Sequence, residues 1–296
     1  MRVQFAEVGG VPTRYYYEGS GAPLMLVHGA GVSGDSWLRN VDALARDFQV
    51  VAPDTMGHGF TGTGAYTGGP PHPYMVDHLI ALADHVGFKK FAMAGSSFGA
   101  MLSILTHFKI KDRVEKLILI SSGSSTLSEE EHQKSVQNAY KNGMSAMTDP
   151  TLENCRARLG RIFYDPKKIP EELLWMQVTL YARPGVKDHY ERRMKGMMDP
   201  AARQYRVAER MREISVPTLL VWGLNDPRVI YSRAVEAANQ IGRSTLVGFP
   251  ECGHEPHIEH WERFNAIARK FLKGERIKDD REAGQGAEFG TSAAAE

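Results

Sequence analysis

The sequence predicts an α/β protein with a doubly wound, mostly parallel sheet of eight strands and a helical cap inserted between two of them. Two observations support this prediction. Short, fully apolar runs such as residues 24–27 alternate with helical patterns, and such runs are typical of strands that are buried on both faces of a parallel sheet. The alternation stops between residues 121 and 216, where only helical patterns occur, and it resumes at residue 218.

Hydrophobic periodicity assigns the individual elements of the core. Residues 2–8 and 11–17 alternate in polarity on either side of Gly9 and Gly10, which predicts a β-hairpin. Apolar runs predict six further strands, at residues 24–27, 48–52, 91–94, 117–120, 218–222 and 244–247. Helical spacing predicts core helices at residues 34–46, 74–86, 98–108 and 258–272.

The interruption of this rhythm predicts the division of the chain. Breaks such as Asp-Pro separate helical segments at residues 128–142, 151–163, 170–182, 187–197 and 201–213. Open α/β sheets bind ligands outside the carboxyl ends of their strands, so we expect these helices to form a cap over that edge. The predicted division is a core of residues 1–121 and 215–273, a cap of residues 122–214 and a polar tail of residues 274–296 that is predicted to be disordered.

Composition restricts the partners that the protein can have. The 296 residues carry a net charge of +1, which gives no reason to expect nucleic acid or an anionic membrane as a partner. Two cysteines, Cys155 and Cys252, are too few for a disulfide framework. Neither a signal peptide nor an apolar run of about 18 residues is visible. We therefore expect a soluble, cytoplasmic protein with a small-molecule substrate, and the sequence leaves open whether it is a monomer or a homodimer.

A G-x-S-x-G motif follows the strand predicted at residues 91–94. Its serine is Ser97, which is flanked by Gly95 and Gly99 where the strand gives way to a helix. This pattern is typical of a sharp turn that lifts a nucleophilic serine above the edge of a sheet, and larger side chains at the two glycines would collide there. Because glycine and serine are common loop residues, the motif predicts catalysis only if the chain also supplies a base, an acid and an oxyanion site.

A candidate acid and a candidate base follow two later strands. Asp226 comes after the strand predicted at residues 218–222, and His254 comes after the strand predicted at residues 244–247. A serine hydroxyl is a weak nucleophile at neutral pH and needs a base such as histidine, whose ordinary pKa is about 6.5. A carboxylate can orient that histidine and stabilise its charged form. We therefore predict Ser97 as nucleophile, His254 as base and Asp226 as the orienting acid.

Three other histidines compete for the role of base. His257 and His260 lie in the last predicted helix, where a side chain is better suited to packing or to solvent. His58 lies in a glycine-rich turn and is interpreted as structural. These residues rank below His254.

Backbone N–H groups of two loops are expected to stabilise the oxyanion of the reaction. Phe98 follows the nucleophile and supplies one N–H at a helix N-terminus. The loop after the strand at residues 24–27 supplies the other, for which Ala30 is preferred and Gly31 is the second choice.

With these motifs on the chain, residues 3–272 resemble the α/β-hydrolase family, whose catalytic residues follow the order Ser, Asp, His. More narrowly, the chain resembles the meta-cleavage product hydrolases, which split a C–C bond in ring-fission dienoates. The segments that support the likeness are 26–29, 52–54, 57–61, 164–166, 170–174, 253–254, 259–260 and 264–265. The resemblance implies the same fold and a triad of Ser97, Asp226 and His254.

Three positions depart from the pattern of that subfamily. Ser96 stands where asparagine typically precedes the nucleophile, and Glu255 stands where tryptophan commonly follows the catalytic histidine. Gln177 stands where a cap arginine normally binds the dienol and carboxylate of the substrate. Glutamine lacks both the charge and the bidentate fork of arginine, so these departures argue against cleavage of a dienoate.

The expected function is therefore that of a serine hydrolase that cleaves a carboxylic ester through an acyl-enzyme. An excess of basic residues in the cap suggests a mono-ester of an aromatic dicarboxylic acid, whose free carboxylate would be recognised near the pocket entrance. The basic candidates are Arg156, Arg158, Arg161 and Arg183. The residues expected to bind substrate are Ser96, Trp175, Gln177, Glu255 and Arg161. The candidates for an apolar wall are Trp175, Met176, Tyr181, Met194, Met197 and Met198.

Two alternatives remain open at this point. One is C–C hydrolysis of ring-fission products, and the other is a relative that binds a ligand without catalysis. Haloalkane dehalogenase chemistry is disfavoured because its nucleophile is an aspartate, whereas this chain has Ser97. No metal-ligand spacing or dinucleotide fingerprint is present, so no cofactor is expected.

Overall fold

The computed structural model describes residues 1–121 and 127–281. Eight strands form one sheet in the order β1-β2-β4-β3-β5-β6-β7-β8. They are β1 Arg2–Val8, β2 Val11–Glu18, β3 Ala22–Val27, β4 Phe48–Pro53, β5 Phe91–Ser96, β6 Val114–Ile120, β7 Thr218–Gly223 and β8 Ser244–Phe249. The pairs β1–β2 and β2–β4 are antiparallel and all other neighbours are parallel. The predicted eight-stranded, mostly parallel sheet is confirmed.

Ten α-helices lie among the described residues. They are α1 Leu38–Leu44, α2 His72–His85, α3 Phe98–Lys109, α4 Glu129–Thr148, α5 Leu152–Gly160, α6 Glu171–Tyr181, α7 Val186–Met198, α8 Tyr231–Gln240, α9 Pro256–Glu259 and α10 Trp261–Lys273. The helices α4 to α7 stand between β6 and β7. Among the described helices, none has the length and apolar character that crossing a bilayer requires.

Side chains of the central strands alternate between two apolar clusters. On β3, Met25 and Val27 belong to a cluster with α2, α3, α8 and the cap, whereas Leu24 and Leu26 belong to a cluster with α1 and α10. Both faces of the strand are therefore covered, which explains its uninterrupted apolar run. This arrangement is the doubly wound sheet that the sequence predicts.

Two helix predictions need correction, and one helix of the structure has no counterpart among the predictions. The helix expected at residues 201–213 is replaced by two short 3-10 helices, Pro200–Tyr205 and Ala208–Glu213, because Arg206 between them has an extended backbone. The helix expected at residues 258–272 is divided into α9 and α10 by a non-helical backbone at His260. The helix α8 was not predicted, although it buries a stripe of alanines beneath Tyr231.

Hydrogen bonds from the cap reach the loops at the carboxyl ends of β3 and β4. The hydroxyl of Tyr181 donates to the carbonyl of Gly31 over 2.5 Å. Arg193 and Arg183 donate to the carbonyls of Gly57 and Gly59, respectively. The cap helices therefore lie over this edge of the sheet.

A buried ion cluster connects β2 with the loops that follow β3 and β4. Arg14 of β2 donates to Asp54 through Nε over 2.8 Å and through Nη2 over 2.7 Å, and it donates to Asp35 over 2.5 Å. The N–H of Gly34 donates to the same Asp54 carboxylate over 2.8 Å. All three charged side chains are at most 4% exposed. The cluster fixes the loops after β3 and β4 against β2.

The chain continues along β8 after α10. The N–H of Asp280 donates to the carbonyl of Leu246 over 2.7 Å, and the carbonyl of Asp280 accepts from the hydroxyl of Tyr231 over 3.1 Å. These contacts correct the start of the tail predicted to be disordered, because the segment up to residue 281 packs on the core. Residues 282–296 of that tail and residues 122–126 of the predicted cap lie outside the described residues.

Candidate active site

Ser97 occupies a strained turn between β5 and α3. Its φ of 51° and ψ of −111° lie outside the regions that L-residues favour. A methyl group on Gly95 would lie 2.3 Å from the carbonyl oxygen of Gly99, and one on Gly99 would lie 2.2 Å from that of Val27. The turn can therefore form only with glycine on both sides of the serine. This is the steric requirement that the G-x-S-x-G motif predicts.

His254 and Asp226 meet at the carboxyl ends of β8 and β7. Nδ1 of His254 and Oδ2 of Asp226 are 2.8 Å apart, and their side chains are 3% and 0% exposed. The other carboxylate oxygen of Asp226 accepts the N–H groups of Arg228 over 2.8 Å and Val229 over 3.2 Å. These bonds fix the carboxylate, and the carboxylate fixes the plane of the imidazole.

His254 and Ser97 border one cavity, and the second ring nitrogen of His254 is unpaired in the described part of the chain. Nε2 has no hydrogen-bond partner among the described residues, and His254 and Ser97 line the same cavity. The other lining residues are Ala30, Phe98, Ser135, Val136, Ala139, Met194, Met197, Arg228 and Val229. This arrangement leaves a basic nitrogen available to a hydroxyl or a water in the cavity.

A buried histidine shapes the loop that carries Ala30. Nε2 of His28 accepts the N–H of Thr55 over 2.9 Å, so Nδ1 carries the proton and donates to the carbonyl of Gly29 over 2.8 Å. Burial lowers the pKa of His28 to about 4, which keeps the ring neutral at physiological pH. Ala30 and Phe98 both line the cavity, and the N–H of Phe98 belongs to the first turn of α3, which has no acceptor within the helix.

Two of the three departures from the subfamily pattern are in contact with each other. The hydroxyl of Ser96 donates to Oε2 of Glu255 over 2.9 Å, and both side chains are buried. Burial raises the pKa of Glu255. Nδ1 of His257 lies 3.6 Å from Oε2 of Glu255, and its ring packs on Trp37 with 4.2 Å between centroids. The residue before Ser97 and the residue after His254 therefore form one buried polar contact.

The third departure is in contact with a guanidinium. Oε1 of Gln177 accepts from Nη1 of Arg158 over 3.3 Å, and both residues are buried. Arg158 belongs to α5 and Gln177 to α6. A positive charge is therefore present beside the position at which the sequence comparison shows an arginine missing.

None of the five residues that the sequence predicts to bind substrate lines the cavity of Ser97 and His254. Ser96, Glu255 and Gln177 have the buried contacts described above, and the other two are Trp175 and Arg161. Trp175 is 57% exposed on α6, because the buried face of that helix carries Leu174 and Gln177 instead. Arg161 donates to the side-chain oxygen of Asn142 over 2.8 Å. These expectations for Trp175 and Arg161 are corrected accordingly.

The remaining basic candidates also have other partners. Arg156 forms an exposed ion pair with Glu171, and Arg183 donates to a backbone carbonyl. Of the competing histidines, His257 is buried on Trp37 and His260 contacts the carbonyl of Glu251 over 2.9 Å.

Sequence reasoning missed Arg228, which lines the cavity with Ser97 and His254. Its position two residues after Asp226 was a usable signal, since a loop that carries the acid also borders the site. Of the six candidates for an apolar wall, Met194 and Met197 line the cavity, whereas Trp175, Met176, Tyr181 and Met198 do not. Among residues 1–121 and 127–281, no group of three or more His, Cys, Asp or Glu side chains is arranged to hold a metal ion.

Relatives of known activity cover nearly the whole chain. The 2-hydroxy-6-oxononadienedioate/2-hydroxy-6-oxononatrienedioate hydrolase of Burkholderia vietnamiensis is 29% identical over 276 residues, which is 89% of this chain and 92% of that protein. The 2-hydroxymuconate semialdehyde hydrolase of a Pseudomonas species is 27% identical over 277 residues, which is 89% of this chain and 91% of that protein. The resemblance to the meta-cleavage product hydrolases is confirmed.

Solved structures give the same result for the fold. A meta-cleavage product hydrolase from Pseudomonas fluorescens matches with a TM-score of 0.77 and 26% identity, over 92% of this chain and 97% of that one. An esterase from Thermogutta terrifontis matches with a TM-score of 0.75 at 21% identity, over 93% of this chain and 99% of that one, and at that identity the match shows the fold alone. A model of the family described as the alpha/beta hydrolase family matches residues 24–267, and the chain belongs to this family.

Proposed function

We propose that the protein hydrolyses the C–C bond next to a ketone in a carboxylate-bearing ring-fission product. The observation that carries the proposal is the state of His254. Its Nδ1 is bound to Asp226, while its Nε2 is free of described partners in the cavity that Ser97 lines. The names of the relatives supply the substrate class, since they are hydrolases of 2-hydroxy-6-oxo-dienoates and of 2-hydroxymuconate semialdehyde.

In the proposed reaction, Oγ of Ser97 attacks the ketone carbon and His254 takes the hydroxyl proton. The N–H groups of Phe98 and Ala30 stabilise the oxyanion that forms. When the intermediate collapses, the C–C bond breaks and its electron pair passes to the leaving carbon, which takes the proton from His254. Water, activated by the same histidine, then attacks the acyl-enzyme and releases the acid.

A carboxylic ester is the second candidate substrate, and it was the main expectation from the sequence. Its support lies in the residues that differ from the meta-cleavage subfamily, namely Ser96, Gln177 and Glu255. The relatives favour the dienoate, and the Arg158 side chain beside Gln177 weakens the objection that a cation is missing. A mono-ester of an aromatic dicarboxylic acid shares with the dienoate a free carboxylate in the same molecule as the reacting carbonyl group.

The test offers both substrates to the wild-type protein and to Ser97→Ala. We expect loss of the dienoate absorbance to exceed p-nitrophenyl ester hydrolysis, and we expect Ser97→Ala to lower both rates by at least about 10⁴-fold. Ser135→Ala is the matched control, because it removes another hydroxyl from the same cavity. Faster ester cleavage would replace the proposed substrate with the second candidate.

A fluorophosphonate probe addresses the non-catalytic alternative. The probe should label the wild-type protein and Ser135→Ala but not Ser97→Ala. Absence of labelling in the wild-type protein, together with no turnover of either substrate, would refute the proposed function.

A further inference from the structure

The guanidinium of Arg158 is buried with few of its donors satisfied. The residue is 4% exposed, and its protein hydrogen bond is the 3.3 Å contact from Nη1 to Gln177. Nε has no partner, and no carboxylate of the described chain forms an ion pair with this side chain. A buried charge is costly to desolvate unless a partner of opposite charge is present, so this position calls for an anion.

Gln177 adds a second unsatisfied donor at the same place. Because its Oε1 accepts from Arg158, its Nε2 is the donor end of the amide, and Nε2 is buried without a partner among the described residues. The N–H of the amide and the N–H of the guanidinium are both donors. Acceptor oxygens of a ligand would therefore satisfy both.

The location of Arg158 connects this pair to the candidate active site. A methyl group on Gly31 would lie 2.8 Å from Nη2 of Arg158, so the guanidinium abuts the loop that carries Ala30. Tyr181, whose ring centroid lies 5.8 Å from the same guanidinium, donates to the carbonyl of Gly31. The charge therefore lies against the loop whose Ala30 lines the cavity.

Arg228 brings a second cation to this region. Its side chain lines the cavity with Ser97 and His254, and it forms no ion pair within the described part of the chain. Burial and the nearby Arg158 lower the pKa of Arg228. An anion bound in the cavity would therefore be attracted by Arg228 as well.

We propose that Arg158, Gln177 and Arg228 form the site that binds the free carboxylate of the substrate. Arg158 and Gln177 donate to the carboxylate oxygens, and Arg228 supplies charge from the cavity wall. The positive charge that Gln177 lacks is thus provided from α5 instead of α6. This inference rests on the proposed function for the identity of the substrate, but the binding of a carboxylate is measurable without turnover.

The experiment is a calorimetric titration of the intact protein with benzoate and with its neutral analogue benzamide. We expect the wild-type protein to prefer benzoate, and Arg158→Gln to weaken benzoate binding by about 10- to 100-fold while leaving benzamide binding unchanged. Arg156→Gln is the matched control on the same helix, because Arg156 is paired with Glu171 at the surface. Its benzoate affinity should equal that of the wild-type protein.

Arg228→Gln provides a second, independent variant, and it should also weaken benzoate selectively. Equal benzoate affinity in the wild-type protein, Arg158→Gln and Arg228→Gln would overturn the proposal. If the wild-type protein turns over neither candidate substrate but both variants lose benzoate, the proposed function fails and the carboxylate site stands. If turnover is efficient and benzoate binding does not depend on these residues, only the carboxylate site fails.

Discussion

Arg14 and Arg158 are buried to a similar extent, but only the charge of Arg14 is paired with carboxylates of the described chain. Arg14 is 3% exposed and Arg158 is 4% exposed. Arg14 donates to the carboxylates of Asp35 and Asp54, and although burial opposes its charge, these two neighbours hold the pKa of Arg14 above its ordinary value. Arg158 has only the neutral side chain of Gln177.

The difference separates a structural ion cluster from a site that is ready for a ligand. The donors of Arg14 point to oxygens that the fold itself supplies, and the cluster joins β2 to two loops. The unpaired donors of Arg158 lie next to the loop that carries Ala30 and require oxygens from outside the described chain. A buried guanidinium without a counter-charge is unfavourable in the free protein, and binding of an anion offsets this cost.

The largest effect is expected when each guanidinium is removed in turn. Arg14→Met leaves Asp35 and Asp54 buried without a counter-charge, and we expect it to lower the free energy of unfolding by about 3–5 kcal/mol. Arg158→Met removes a charge that lacks compensation, so its free energy of unfolding should stay within about 1 kcal/mol of the wild-type value or rise. Urea unfolding followed by circular dichroism measures both. Equal losses of stability in the two variants would refute this comparison.

The next effect comes from giving Arg158 an internal partner. Gln177→Glu places a carboxylate within hydrogen-bonding distance of the Arg158 guanidinium. The site then resembles the Arg14 cluster, in which carboxylates neutralise a buried arginine. We expect benzoate affinity to fall by about 10- to 100-fold, while the midpoint of urea unfolding stays equal or increases. Gln177→Leu serves as the control, because it removes the amide donor without filling the site with charge. If Gln177→Glu binds benzoate as tightly as the wild-type protein does, the carboxylate site lies elsewhere.

Local patterns and strand order were enough to predict the core and the residues at its edge. The carboxyl ends of parallel strands meet at one edge, so Asp226 and His254 had to come close, and the structure places them 2.8 Å apart. The steric role of the two glycines around Ser97 follows from the G-x-S-x-G motif, and neighbouring backbone atoms leave no room for a side chain at either position. These inferences succeed because each depends only on a strand, the turn that follows it and the pairing of neighbouring strands.

Contacts made by the cap could not be predicted in the same way. The meeting of Arg158 and Gln177 depends on how α5 and α6 rotate against each other, and hydrophobic periodicity does not fix this rotation for helices of weak amphipathic character. Trp175 was misplaced for this reason. The contact between Ser96 and Glu255 spans 159 positions, and it was missed because each residue was compared with the subfamily separately.

The smallest of the expected effects on stability concerns Glu255. This residue extends the comparison of Arg14 and Arg158 to a buried acidic side chain. Like Arg158, it is buried with a neutral partner, here the hydroxyl of Ser96. Burial raises the pKa of Glu255, so the folded protein holds this proton at pH values where the unfolded chain has released it. The contribution of Glu255 to stability is therefore complete below the ordinary glutamate pKa of about 4.3 and is lost as the pH rises through the higher pKa of the folded state.

Replacement of Glu255 by glutamine removes this dependence and keeps a group that can accept the Ser96 hydroxyl. We expect the stability of the wild-type protein to fall relative to Glu255→Gln as the pH rises above about 4.3, by at most about 1.4 kcal/mol per pH unit. Urea unfolding at a series of pH values measures the difference, with Glu251→Gln, at an exposed position, as the control. A difference between the wild-type protein and Glu255→Gln that does not change with pH would mean that Glu255 is ionised in the fold. Its charge would then be compensated within the protein, as the charge of Arg14 is and that of Arg158 is not.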